Sequence, residues 1–153
     1  MPLNFVQPVH RATHRIGIYL SALPRGQLTQ GEAHILALLA RSRSAKVTEL
    51  HRGLAHKRST LTSILDRLAE RGLIERTVGE SDRRTFIVTL TRKGARIAHQ
   101  VNRHLSVLEQ AVARRVTAID IRGFSKVIAA LEDEAHQRSR ANRGMHVDKK
   151  KRE

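Results

Sequence analysis

The chain has 153 residues, with 29 Lys or Arg against 14 Asp or Glu, for a formal net charge of +15. So large an excess points to a polyanionic partner, and with 40% apolar but only 3% aromatic residues the core must be built from Leu, Ile, Val and Ala. The absence of Cys excludes disulfides, Cys-based zinc sites and thiol redox sensing, and without an apolar signal core at the start or a bilayer-length apolar run of roughly 20 residues, a soluble cytoplasmic protein with no membrane partner is expected.

Pro8 suits a first helical turn, and Val9, Ala12, Ile16, Tyr19, Leu20 and Leu23 follow at helical spacing until Pro24-Arg25-Gly26 ends the helix. Thr29 and Glu32 form a capping-box pattern that opens a second helix with Ala33, Leu36, Leu39 and Ala40 on its buried side. Ala45-Lys46-Val47 is too short to assign on its own pattern and is compatible with a single strand. A short helix is predicted over 48–55, with Leu50 and Leu54 inward, then a turn at His56 and a stronger helix over 57–71 that Gly72 stops. Residues 74–78 and 85–90 read as two strands, with Phe86, Val88 and Leu90 alternating onto one face. Thr91 caps a long helix striped by Ile97, Val101, Leu105, Leu108 and Val112. Thr117 with Asp120 caps the last helix, striped by Ile121, Phe124, Val127, Ile128 and Leu131.

Two short helices followed by a β-hairpin make a winged helix-turn-helix, so the fold class is mainly α with a small β-wing. The DNA-binding domain is expected over 29–90. The helices of 1–28 and 91–137 carry more apolar surface than one winged domain can cover, and are expected to form a dimerisation region, most simply of a homodimer. From residue 138 the chain is basic and poor in apolar residues, and a disordered tail is predicted over 138–153.

On a helical wheel of the 57–71 segment, Leu61, Ile64, Leu65 and Leu68 face the core. Ser59, Thr60, Thr62, Ser63 and Arg67 fall on or beside the opposite face, with Lys57 and Arg58 at the N-terminal end. Small hydroxyl side chains let a helix sit deep in the major groove of double-stranded DNA, and Arg forks onto guanine. Asp66 is out of place beside phosphate unless a cation neutralises it. Arg84 or Arg83 of the hairpin tip is the expected partner, so that Asp66, with Asp82 in the tip, anchors the wing. Arg83 and Arg84 would themselves reach the minor groove. Lys46, Arg43 and Arg52 would touch phosphate without reading sequence.

His10 and His14, four residues apart, have the spacing of a metal pair, but no carboxylate or Cys nearby completes a site. No cofactor is expected. No nucleophile elbow, P-loop, dinucleotide fingerprint or zinc-hydrolase motif occurs, so no enzyme is expected. The competing reading of the charge is a sequence-independent structural nucleic-acid-binding protein, associated with chromatin or ribosomes.

The stretches Val47–Leu50, Arg58–Leu68 and Glu70–Ile74, with Asp82-Arg83-Arg84 and then Leu90-Thr91-Arg92-Lys93-Gly94, resemble the multiple antibiotic resistance regulator (MarR) family of transcription factors. The resemblance implies an obligate homodimer with intertwined terminal helices and a pseudo-palindromic operator read by one helix per half-site. It also implies a repressor, often released by a small aromatic or lipophilic anion as effector. The chain departs from the family in having Ala55 where the turn often has Gly, in lacking the Cys of peroxide-sensing members, and in its basic tail.

Overall fold

The computed structural model describes residues 3–23, 27–79 and 85–150, with side chains to residue 141. In chain order the elements are α1 (Val6–Ser21), α2 (Gln30–Ser42), β1 (Ser44–Lys46), α3 (Val47–Leu54), α4 (Arg58–Glu70), β2 (Ile74–Val78), β3 (Phe86–Leu90), α5 (Arg92–Ala113) and α6 (Ala118–Lys150). The strands form one antiparallel sheet in the order β1-β3-β2. Ala45 pairs with Val88, Arg76 with Val88, and Val78 with Phe86. The mainly helical fold with a small wing is the one the sequence predicts.

The chain divides into two compact units, Thr13–Glu109 and the remainder, Met1–Ala12 with Gln110–Glu153. The core lies in the first unit. Leu20 of α1, Ile35, Leu36 and Leu39 of α2, Leu50 of α3, Leu61, Leu65 and Leu68 of α4, and Val88 of β3 are all buried. Each comes from an apolar position at helical or strand spacing, so the pattern in the sequence is the pattern in the core. The second half of α1 joins this unit through polar contacts as well. Gln30 Nε2 donates to the Thr13 carbonyl at 3.3 Å, and the Tyr19 hydroxyl to the His104 carbonyl at 3.2 Å.

Three local devices position α4 and the wing. The first is the end of α4, where the Gly72 N–H bonds the Ala69 carbonyl at 2.8 Å and the Leu73 N–H the Leu68 carbonyl at 2.9 Å. This is a Schellman motif, sealed by the buried Leu68 and Leu73. Gly72 takes φ +65°, which a residue without Cβ adopts freely. The second is Thr91. Its hydroxyl donates to the Gly72 carbonyl at 2.7 Å and accepts from the Gly94 N–H at 2.9 Å, capping α5 against the end of α4. The third is Gly94, where a Cβ would lie 1.7 Å from the Leu73 carbonyl oxygen, so α5 crosses the α4–β2 turn at backbone contact.

In the second unit, the Thr117 N–H donates to Asp120 Oδ2 at 2.8 Å and the Asp120 N–H to the Thr117 hydroxyl at 3.3 Å, closing the predicted cap of α6. Hydrogen bonds from Thr117, the side-chain one first, hold the Asp120 carboxyl below its ordinary range. On the apolar stripe of α6, Ile121, Phe124 and Val127 are exposed, Phe124 at 64%, while Ile128 and Leu131 are half-buried.

Where a disordered tail is expected from residue 138, α6 runs on to Lys150. The segment lacks apolar residues to pack, which is why it reads as disordered. It contains no Pro and is rich in Arg and Lys, which a helix accommodates readily. The Glu134–Arg138 pair, at 3.0 Å and i,i+4 spacing, supports its start.

Gly94→Ala is expected to destabilise the protein by about 1–3 kcal/mol, because backbone rather than a flexible side chain must yield. Ala55 is the C-cap of α3 and sits at φ +50°, so Ala55→Gly is expected to gain up to about 1 kcal/mol by relieving a left-handed Ala. Denaturant unfolding of both variants checks the two signs.

Candidate nucleic-acid interface

Helices α3 and α4 are joined by a tight turn through Ala55, His56 and Lys57. Lys46 is the last residue of β1 and the N-cap position of α3, and its N–H donates to Glu49 Oε2 at 2.9 Å. Lys57 is the N-cap position of α4 and provides no side-chain cap. The first N–H groups of α4 are therefore open to an outside acceptor, the arrangement that favours phosphate. Lys57, Arg58, Ser59, Thr60, Thr62 and Ser63 are all exposed at this end, while Leu61, Ile64, Leu65 and Leu68 are buried beneath them. The wheel drawn from the sequence thus gives the correct outward set for the first two turns.

The hydroxyls have a defined polarity. Thr62 Oγ1 donates to the Arg58 carbonyl at 2.9 Å and Ser63 Oγ to the Ser59 carbonyl at 3.0 Å. A hydroxyl has one proton, and here the helix backbone takes it, so each presents lone pairs outward. On this face Thr62 and Ser63 therefore present acceptors.

Arg67, half exposed, also reaches back toward α2. Its Nε lies 3.1 Å from Oε1 of Glu32, and Arg71 Nη1 lies 3.5 Å from Oε2 of the same carboxylate. The Glu32 side chain is only 3% exposed. It also accepts the Thr29 N–H at 2.8 Å, while the Thr29 hydroxyl accepts the Glu32 N–H at 3.3 Å, which completes the predicted capping box. A buried carboxylate needs cationic partners, and α4 supplies two. A wheel assigns an angle to Arg67 but not the reach of its guanidinium, which bends from the edge of the polar face onto α2. Glu32 itself is legible in the sequence as a cap residue only. Its second role appears once α4 is packed across the start of α2.

Asp66 pairs with Arg76 of β2. The carboxylate does tie the wing to α4, through a strand residue where Arg84 of the tip is expected. After the Schellman turn β2 runs back beside α4, and the second residue beyond Ile74 comes level with Asp66. That register is not visible in the sequence. Asp82, Arg83 and Arg84 lie outside the described residues. Arg43 and Arg52 are exposed, as is Lys46. His10 and His14 are exposed on α1, and among the described residues no cluster of three or more potential metal ligands forms.

His34 of α2 titrates below its ordinary value of 6.5, first because it is partly buried and then because the charge of His56, in the α3–α4 turn, opposes its own. Behind α3 a cavity of about 510 Å³ is lined by His34, Leu38 and Arg41 of α2, Leu54 of α3, and Leu105 and Glu109 of α5.

The MarR family model matches residues 28–86. The uncharacterized HTH-type transcriptional regulator YwhA of Bacillus subtilis is 30% identical over 97 residues, 63% of this chain and 70% of that protein. The HTH-type transcriptional regulator PetP of Rhodobacter capsulatus is 31% identical over 110 residues, 71% of this chain and 66% of that protein. Among solved structures, a mutant MarR from E. coli complexed with operator DNA superposes with a TM-score of 0.65 at 26% identity, over 82% of this chain and 89% of that one.

Two predictions separate scaffold from surface. Arg67→Ala leaves the buried Glu32 carboxylate with one cation fewer, and is expected to cost about 1–3 kcal/mol of stability, discounted because Arg67 is half exposed and Arg71 remains. Ser63→Ala is expected to leave the unfolding free energy within about 0.5 kcal/mol of the parent. The pH dependence of stability follows from His34. Its folded-state value lies below the unfolded one, so its contribution is full above about pH 6.5 and is lost as pH falls through the folded value. Melting temperatures between pH 7.5 and 5.5 are expected to fall less steeply in His34→Gln than in the parent.

Proposed function

The chain belongs to the MarR family of transcriptional regulators, and from that premise we propose that it is a homodimeric, ligand-responsive repressor acting on a pseudo-palindromic DNA operator in the cytoplasm. The observation that carries the reading is the first half of α4: Ser59, Thr60, Thr62 and Ser63 exposed over a fully apolar underside, with Lys57, Arg58 and uncapped N–H groups at the leading end. A helix of this make-up enters the major groove with acceptors toward base edges and donors toward phosphate. Lys46 and the tip residues Arg83 and Arg84 serve as flanking phosphate and minor-groove contacts, and Asp66 anchors the wing.

The dimer is supported by the partly uncovered stripe of α6, where Ile121, Phe124 and Val127 are exposed. A stripe of that length on a single chain is the surface a second copy covers. The helices outside 29–90 are its dimerisation region. Two copies then present two α4 helices, each to one half-site, about one turn of DNA apart. For an effector, the cavity behind α3 is our candidate: its volume of about 510 Å³ suits a small organic molecule, and Arg41 supplies a cation for an anionic one. Binding there bears on α3 and so on the turn that leads into α4. No helix among the described residues is long and apolar enough to cross a membrane.

The test is selection of bound fragments from a random duplex library in the presence of competitor DNA. An inverted repeat with half-sites about 10 base pairs apart is the expected outcome. Equal recovery of all sequences, with a steep salt dependence, would establish instead the sequence-independent nucleic-acid protein that the charge of +15 also fits. Phe124→Glu is expected to halve the mass in sedimentation and to reduce affinity for the full site to that of a half-site.

A further inference from the structure

Val78 and Phe86 face each other across the wing and are each 50% exposed. They stand on the same face of the hairpin as Ile74, Arg76 and Val88, because residues two apart on a strand share a face. Ile74 and Val88 are buried on that face, and Arg76 is held on Asp66 of α4. The inner face of the wing is therefore covered up to Arg76 and uncovered immediately beyond it. Just past the pair the strands still meet, the Gly79 N–H donating to the Thr85 carbonyl at 2.7 Å. Val78 and Phe86 thus occupy hydrogen-bonded strand, and their exposure does not come from a frayed end.

Their level along α4 follows from the two rises. Two strand residues beyond Arg76 advance about 6.6 Å, which matches four to five residues of helix at about 1.5 Å each. Counted back from Asp66, this brings the apolar pair level with Thr62. By this count the pair and the outward hydroxyls of α4 flank one opening between the wing and the helix. Two exposed apolar side chains are too small a patch for a stable protein interface, which buries on the order of 1,200 Å² or more. They are the right size for one or two sugars, whose edges form the apolar wall of the minor groove. Lys57 and Arg58 at the end of α4 give the gap the charge that a phosphodiester strand requires.

We propose that Val78 and Phe86 form an apolar contact for the deoxyribose edge of the DNA strand that runs between α4 and the wing, adding a term to affinity that does not depend on salt. This rests on the DNA-binding reading above. Phosphate contacts release counterions and set the slope of log affinity against log salt, whereas burial of Phe86 against a sugar releases none. Loss of the ring therefore lowers the whole line without tilting it.

The experiment uses the full chain and the duplex obtained from the selection above. Affinity is measured across a salt series, and sugar accessibility by hydroxyl-radical footprinting, for the parent, Phe86→Ala, Phe86→Leu and Val78→Thr. Phe86→Ala is expected to lose about tenfold in affinity at every salt concentration with an unchanged slope, on the scale of one lost apolar side-chain contact. Sugars flanking the α4 footprint are expected to lose protection. Phe86→Leu retains most of both. Should Phe86→Ala unfold, Val78→Thr carries the same test, with a smaller loss at unchanged slope. Parent-like affinity and footprint in the folded variants, or a changed slope, would overturn the inference while leaving the DNA-binding reading intact. Failure of the parent to prefer any duplex would overturn that reading, and this inference with it.

Discussion

The buried carboxylate of Glu32 holds together the two parts of the domain on which the rest depends. One oxygen closes the N-terminal cap of α2, and the pair of them takes Arg67 and Arg71 from α4. A carboxylate removed from water is costly unless its lone pairs are filled, so α2 and α4 are obliged to meet at this point. The geometry fixes the rotation of α4 about its own axis. With its second half turned onto Glu32 by charge and its underside held by Leu61, Ile64, Leu65 and Leu68, the first half of α4 has one face left to present.

The wing is positioned from the same helix. The Schellman turn at Gly72 sends the chain back beside α4, Thr91 and Gly94 lock that turn under α5, and Asp66 receives Arg76 from β2. Exposed ion pairs contribute little energy, on the order of 0–1 kcal/mol. The Asp66–Arg76 pair matters through geometry, since it neutralises a negative charge beside the exposed hydroxyls of α4 and ties the hairpin to that helix. Thr62 and Ser63 commit their protons to the backbone of α4. The surface that results is rigid, cationic at its end and acceptor-rich at its centre.

Much of this is written in local sequence. The helices follow from apolar spacing, the caps of α2, α5 and α6 from Thr29, Thr91 and Thr117, and the stop of α4 from Gly72. The hydroxyl face of α4 follows from a wheel. What escapes a sequence reading depends on register or reach. Arg67 lies at the edge of the polar face, and only the packing of α2 shows which way it bends. Arg76 reads as one more charge on a strand until the return of β2 brings it beside Asp66. Ala55 by its own residue type gives no sign of a left-handed turn; only the resemblance, with Gly often at that place, hints at one. Beyond residue 138 the basic, apolar-poor composition gives no sign of the helix that runs to Lys150.

The central claim is a division of labour along one helix, in which Thr62 and Ser63 read bases while Arg67 holds the scaffold. It is tested most directly by combining protein and operator changes in one thermodynamic cycle. The affinity of the parent, Ser63→Ala and Arg67→Ala is measured on the selected operator and on operators with single base pairs exchanged within each half-site. The account predicts that the Ser63→Ala loss disappears when one particular base pair is exchanged, since the contact is then already gone. Any loss from Arg67→Ala is predicted to be the same on every duplex. A base-specific loss in Arg67→Ala, with a Ser63→Ala loss indifferent to sequence, would contradict it.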